Sequence, residues 1–243
     1  MSWKGNLLRS GGDAKTVKGN GGEYLTAIMY LTPWKSAGIN VCPMAEQAQC
    51  IDGCLNTAGR GQMSSVQIGR ARKTQWFASD RAGFMDQLVA DLESFVSYCS
   101  KRGIQPCVRL NGTSDIRWEL IPVQRGGHTL GNVFLAFPMV TFYDYTKIAN
   151  RKVTHTTPGN YSLTWSYSGA NEAYAKQHAI AKANGLNIAV VFRRKGDIPT
   201  QFLGLPTIDG DRDDMRFLDP KGVVVALYAK GKAKQDQSGF VVG

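Results

Sequence analysis

Three cysteines, Cys42, Cys50 and Cys54, fall within thirteen residues of one Gly-punctuated stretch that runs on to Ala58-Gly-Arg-Gly61. Thiolate sulfur is the soft donor that zinc and iron–sulfur clusters prefer, so three thiols this close can wrap one metal centre. The C-x₇-C-x₃-C spacing lacks the paired C-x₂-C knuckles of a structural zinc finger, and a closed zinc site needs a fourth ligand. Cys99, Cys107, His128, His155 or His178 would have to supply it from a distance. Three thiolates without an adjacent fourth match a [4Fe–4S] cluster that leaves one iron open. Zinc is the alternative, and a metal-free loop of small buried residues is the third reading. Cys99 lies on the apolar stripe of a helix and Cys107 opens a strand, so both read as core.

A second set of polar residues stands where apolar runs end. Asn111, Thr113, Ser114 and Asp115 follow Pro106–Leu110, and Ser166 and Ser168 follow Tyr161–Trp165. Short polar groups of this kind can bind a cofactor's ribose, amino-acid or phosphate groups, and they also cap turns. Asp144 and Lys147 flank another exit. An Asp/Lys pair there is the candidate for acid–base chemistry, although a solvated ion pair has the same sequence signature. Asp209, Asp211, Asp213 and Asp214 fail as a calcium loop, because Asp214 and Pro220 stand where Gly and Glu are needed. With Arg212 and Arg216 interleaved they read as a self-neutralising loop. Tyr143, Tyr145, Trp165 and Tyr167 could stack a base, but aromatics at strand positions are more often core.

The elements that position these residues alternate. Strands are expected at Tyr24–Leu31, Pro106–Leu110, Val140–Tyr143, Tyr161–Trp165, Ile188–Phe192 and Val223–Tyr228. Asp80–Arg102 is the clearest helix: Phe84, Leu88, Leu92, Phe95 and Cys99 form one stripe, with Ser79 or Asp80 to cap it and Gly103 to end it. A second helix is expected over Glu172–Asn184, between Asn171 and Gly185. Gly131–Phe137 reads as a short helix or an extended piece. Six strands separated by helical or long connections predict an α/β fold with mostly parallel strands, a partial or distorted (βα)₆ TIM-like barrel. Ligands in such folds sit at the carboxyl ends of the strands.

Residues 1–22, rich in Gly, Asn and Lys, are expected to be a flexible arm. Residues 23–243 are expected to form one α/β domain with the cysteine loop at 35–61. The start lacks the apolar run of a secretory signal, and no apolar stretch has spanning length. A cytoplasmic protein with reduced cysteines and no membrane partner is therefore expected. The net charge of +10 predicts an anionic partner, a nucleic acid or a nucleotide.

Several motifs together carry a family resemblance. Asn40-Val-Cys-Pro43, the Cys50/Cys54 pair, Ala58-Gly-Arg-Gly61, Arg109-Leu-Asn-Gly-Thr-Ser-Asp115, Tyr143-Asp-Tyr-Thr-Lys147 and Asp209-Gly-Asp211 resemble bacteriophage proteins of the gene product 88 family over nearly the whole chain. That resemblance implies a phage origin and a host-cell cytoplasm setting. A more distant likeness of layout is to radical S-adenosylmethionine enzymes, partial (βα)₆ barrels whose three cluster cysteines follow strand one. Their usual spacing is C-x₃-C-x₂-C, and Asn111-Gly-Thr-Ser stands here in place of their Gly-Gly-Glu. The cysteines alone carry over, implying a [4Fe–4S] cluster with S-adenosylmethionine as cofactor.

Overall fold

The computed structural model describes residues 5–11, 22–151 and 159–243. Its strands are β1 (Leu8–Ser10), β2 (Tyr24–Met29), β3 (Gln105–Arg109), β4 (Val123–Arg125), β5 (His128–Leu130), β6 (Thr141–Thr146), β7 (Tyr161–Ser166), β8 (Asn187–Phe192), β9 (Gln201–Phe202), β10 (Leu205–Asp209) and β11 (Val224–Tyr228). Its α-helices are α1 (Ser64–Ser79), α2 (Arg81–Ser100), α3 (Val133–Ala136), α4 (Glu172–Ala175) and α5 (His178–Ala183). The six strands expected from the apolar runs are β2, β3, β6, β7, β8 and β11. They lie side by side in chain order, every neighbouring pair parallel. β10 adds a seventh parallel strand beyond β11, and antiparallel β1 and β9 form the two edges. The fold is thus mixed α/β with a large, mostly parallel sheet that is not closed among the described residues. No helix among them is long and apolar enough to cross a membrane.

Local chemistry accounts for the boundaries. Asp80 accepts a hydrogen bond from the Gly83 N–H and starts α2, while Gly103, at φ 65°, ends it. Asn171 caps α4 through the Tyr174 N–H, and Gly185 takes φ 73° after α5. The single helix expected over 172–184 is two short ones, because Gln177 intervenes without a side-chain cap. Helix α1 has no apolar stripe: its buried residues are Arg70, Lys73, Thr74 and Phe77, so hydrophobic periodicity gave no signal for it.

Part of the amino-terminal segment is held by the sheet. Leu8–Ser10 pair with Met29, Ile28 and Ala27, Leu7 is fully buried, and the Leu7 and Leu8 amides donate to the Asp91 carboxylate of α2. Leu8–Ser10, within the segment expected to be a flexible arm, are therefore a strand of the sheet; residues 1–4 and 12–21 lie outside the described residues.

The two faces of the sheet differ. One buries Met29, Val108, Leu110, Phe142, Trp165, Ile188, Val190 and Val224 against the α2 stripe, Trp118 and Phe134 in the main core. On the other, the Arg109 guanidinium reaches Asp214 Oδ2 at 2.7 Å, and Phe217 packs edge-on against Tyr24 and tilted against Tyr143. The segment after β10 thus straps this face. Its carboxylates are neutralised in place: Asp213 and Asp219 by Arg216, Asp211 by Lys230, and Asp209 by Lys195.

Where β3 exits beside β2, the chains come very close. A methyl group on Gly112 would lie 2.7 Å from Met29 O and from Ile28 Cγ2. Gly112→Ala is expected to destabilise the protein by about 1–3 kcal/mol through overpacking against backbone. Urea denaturation measures it, and an unchanged midpoint would show that the two exits are not in fixed contact.

Candidate metal centre

The cysteines sit on the loop between β2 and α1, which lies across the carboxyl ends of the parallel strands. Four anchors fix it there. The Asp115 N–H donates to Val41 O at 2.8 Å after β3, and the Ser168 hydroxyl donates to Ala48 O at 2.7 Å after β7. The Ser238 hydroxyl donates to Gln49 O at 3.3 Å. Gly53 lies so close to Phe240 that an added methyl would meet its ring at 2.9 Å, and Cys50 packs on the cluster of Ala229, Ala233, Phe240 and Val241.

All three thiols are half-buried and free of disulfides. The Cys42 thiol donates to Thr113 O at 3.7 Å and that of Cys50 to Ala45 O at 3.9 Å, while Cys54 Sγ accepts from the Asn56 N–H at 3.5 Å. Burial pushes the Cys42 thiol up to about 12, with further upward contributions from Cys54, Asp115 and Cys50. Burial likewise raises Cys54, and Cys50 adds to it, while Arg70 and Lys147 act against it. The three sulfurs are thus near enough to oppose one another's ionisation, with two cations beside them. Among the described residues no three His, Cys, Asp or Glu side chains stand in a metal-holding arrangement. His155 lies outside those residues. Cys99 and Cys107 are fully buried in the interior, away from the loop's chemistry.

Lys147 faces this group. Its Nζ donates to Ser166 O at 3.2 Å and to Tyr167 O at 3.4 Å, 4.6 Å from the Phe240 ring centroid and 5.7 Å from that of Tyr174. Burial lowers its pKa, and Cys50, Asp115 and Cys54 oppose that shift. Asp144, the other candidate for acid–base work, is elsewhere. It is buried beneath the β3 exit, accepting from the Asn111 N–H at 2.9 Å, with the Tyr161 hydroxyl at 3.4 Å. The two residues do not form a pair.

The polar exit residues are bound to one another. Asn111 Oδ1 accepts from the Ser114 hydroxyl, the Ile116 N–H and the Trp118 indole. The Thr113 hydroxyl donates to Leu31 O. Asp115 accepts from the Thr146 hydroxyl at 2.8 Å, the Lys147 N–H at 2.7 Å and Arg151 at 3.0 Å. Ser168 is fully buried on the loop carbonyl, and the Ser166 carbonyl takes the Tyr174 hydroxyl as well as Lys147. These side chains tie the exits together. Tyr143 and Trp165 are fully buried, which makes them core rather than stacking platforms.

Sequence reasoning missed Arg70. From α1 its guanidinium bonds Asn56 Oδ1, lies 4.6 Å from the Tyr30 ring centroid, and stabilises the thiolate form of Cys54. A polar helix without an apolar stripe gave no cue to its placement. Tyr174 and Phe240, which wall Lys147, could not be placed without the topology.

With this geometry in view, the comparisons add one assignment. The sequence profile of gene product 88 matches residues 6–243, so the chain belongs to the phage gene product 88 family. Searches of curated proteins and of solved structures give no match.

Two outcomes follow from the buried charges. Arg151 is fully buried, with Glu119 at 2.6 and 2.8 Å in addition to Asp115. Arg151→Met strands both carboxylates and is expected to cost about 3–5 kcal/mol in denaturant unfolding; a loss under about 1 kcal/mol would show the network to be dispensable. Burial pushes Asp144 up to about 7, with Arg109 and the Asn111 N–H acting against it. In the unfolded chain an Asp titrates near about 3.9. The folded state therefore holds a proton that the unfolded state lacks between those values, and stability is lost as pH rises through the folded pKa. Asp144→Asn cannot ionise. Its stability relative to wild type is expected to improve by on the order of 1–3 kcal/mol between about pH 5 and pH 8. A difference independent of pH would show that Asp144 ionises normally in the fold.

Proposed function

We propose that this phage protein is an iron–sulfur protein whose [4Fe–4S] cluster is held by Cys42, Cys50 and Cys54 at the rim of a partial (βα)₆ barrel. We further propose that it is an enzyme of radical S-adenosylmethionine type acting on a nucleic acid or nucleotide. The observation that carries this reading is that the three thiols share the loop after the first parallel strand, with Cys50 and Cys54 each close enough to raise the pKa of Cys42. Six parallel strands in chain order are what a partial barrel requires.

The donor set suits the cluster. Three soft sulfurs with no imidazole beside them among the described residues match a centre with one iron lacking a protein ligand better than a closed tetrahedral zinc. Such a cluster would supply one-electron chemistry. The rest is work for this chain's own residues. Cys42, Cys50 and Cys54 would hold the cluster, which would displace the thiol contacts to Thr113 O and Ala45 O and leave the Asn56 N–H to stabilise the Cys54 sulfur. Arg70 and Lys147 offset the negative charge of thiolates, and the Phe240 and Tyr174 rings limit water around Lys147.

A second reading is a zinc- or cluster-stabilised protein without catalysis that binds nucleic acid or a host factor. The exposed cations Arg60, Lys232 and Lys234 on the same rim favour it.

Anaerobic purification followed by iron, sulfide and zinc analysis and a visible spectrum tests the proposal. The expected result is a coloured protein with about four iron and four sulfide per chain, lost in Cys42→Ser, Cys50→Ser and Cys54→Ser. A colourless protein with stoichiometric zinc would sink the iron–sulfur reading, and a metal-free protein would sink both.

A further inference from the structure

Beside the cysteine loop lies a cavity of about 560 Å³ that neither the thiols nor the strand exits explain. Asn56, Thr57, Gln62 and Gln67 line one wall, and Gly231, Lys232 and Gln235 line the other. Its volume is that of a small-ligand site. The lining has two chemical features. Four of its residues carry carboxamides and none carries a carboxylate. Lys232 supplies a cation, and Arg60 and Lys234 extend from the same two wall segments, exposed and without an ion pair among the described residues.

The floor is built rather than loose. Arg70 donates to Asn56 Oδ1, the Asn56 amide donates to Gln67 Oε1 at 3.1 Å, and the Gln67 amide donates to Asn56 O at 3.0 Å and to Gly61 O. That chain consumes both N–H groups of Gln67 and fixes the plane of Asn56. Among the described residues this leaves Asn56 one side-chain N–H and one Oδ1 lone pair without a hydrogen bond. Gln62 and Gln235 on the rim make no side-chain hydrogen bond among the described residues. A paired donor and acceptor from an amide is the arrangement that matches the edge of a nucleobase. Cations on two sides of it match a phosphate.

We propose that this cavity binds a nucleotide unit, its base edge read by the Asn56, Gln62 and Gln235 amides and its phosphate held by Lys232, Lys234 and Arg60. The inference deepens the proposed action on nucleic acid or nucleotide but does not require the cluster. The cavity adjoins the thiols: Asn56 donates to Cys54 Sγ, and the Thr57 hydroxyl donates to Cys54 O at 2.8 Å. A nucleotide seated there would lie against the cysteine loop. Among the described residues no aromatic side chain lines the cavity, so charge and amides rather than stacking set the affinity.

The test is fluorescence anisotropy with labelled single strands of roughly ten nucleotides, and calorimetry with AMP and ATP, on the full chain. Saturable binding is expected, falling at least about tenfold between roughly 50 and 200 mM salt for the strand. The double variant Lys232→Glu/Lys234→Glu should weaken it at least about tenfold, and Gln62→Leu/Gln235→Leu about three- to tenfold. Lys101→Glu, at the distant end of α2, should leave it unchanged. Thermal melts establish that each surface variant folds. Binding of strands alone assigns the cavity to a nucleotide within a polymer, and binding of AMP or ATP assigns it to a free nucleotide. Neither probe binding, or binding indifferent to the wall substitutions, overturns the proposal. The same titration on Cys42→Ser separates the two readings: binding kept there supports the cavity even where the cluster reading fails.

Discussion

The Arg151 guanidinium has no access to water, and its charge is met wholly inside the protein. Asp115 and Glu119 take it at 3.0 and 2.6 Å, Ile116 O at 3.1 Å, and the Tyr161 hydroxyl lies 3.0 Å away. These partners come from the segment after β3 and from β7, while Arg151 itself follows β6. One side chain therefore ties the exits of β3 and β6 to each other and to the first residue of β7. Burying it is costly in itself, so such a network is better understood as fixing a geometry than as adding stability. Both carboxylates keep Arg151 protonated, and Arg151 holds Glu119 below the usual carboxylate range.

The cysteine loop inherits that geometry. Asp115 turns one carboxylate oxygen to Arg151 and Thr146 and the other to the Lys147 N–H, while its own N–H holds Val41 O beside Cys42. The position of Cys42 and that of Lys147 are thus set by the same aspartate. On the far side, Ser168 and the Gly239 carbonyl, which accepts from the Gly169 N–H, bring the β7 exit and the Phe240 segment against the loop. The burial that results raises the pKa values of Cys42 and Cys54. Any ligated metal must compensate for that, because metals bind the thiolate and release its proton.

Much of this frame was legible in the sequence, and the reasons differ by element. The six central strands are short apolar runs buried on at least one face, so periodicity and turn residues sufficed. The α2 stripe from Phe84 to Cys99 and the caps at Asp80 and Asn171 were equally plain. What escaped detection depends on partners distant in sequence. Helix α1 buries Arg70, Lys73 and Thr74, whose burial makes sense only beside residues such as Asn56 and Thr32. Strand β10 reads locally as a Pro-containing stretch before an acidic loop, and only its pairing with β11 makes it a strand. The cysteines were legible as a cluster, because spacing is local. The exit residues Asn111, Ser114 and Asp115 were legible as a set but not in their role, since capping an exit and binding a ligand call for the same short polar side chains.

Charge placement then determines where a ligand can approach. The acidic residues from Asp209 to Asp219 read in sequence as one self-neutralising loop, yet they are neutralised in part by cations from other elements: Asp214 by Arg109 of β3, Asp211 by Lys230 and Asp209 by Lys195. This strap occupies the face of the sheet opposite α2, with Phe217 against Tyr24 and Tyr143, and so denies a ligand that side. It also ties up Arg109, Arg216, Lys195 and Lys230. The cations without an ion pair among the described residues include Lys232, which lines the carboxamide-lined cavity, and Arg60 and Lys234 on its wall segments. An anion attracted by the field of the whole protein would meet those groups at the rim, next to Cys54. The arrangement that closes one face of the sheet therefore leaves the excess positive charge on the edge that holds the thiols.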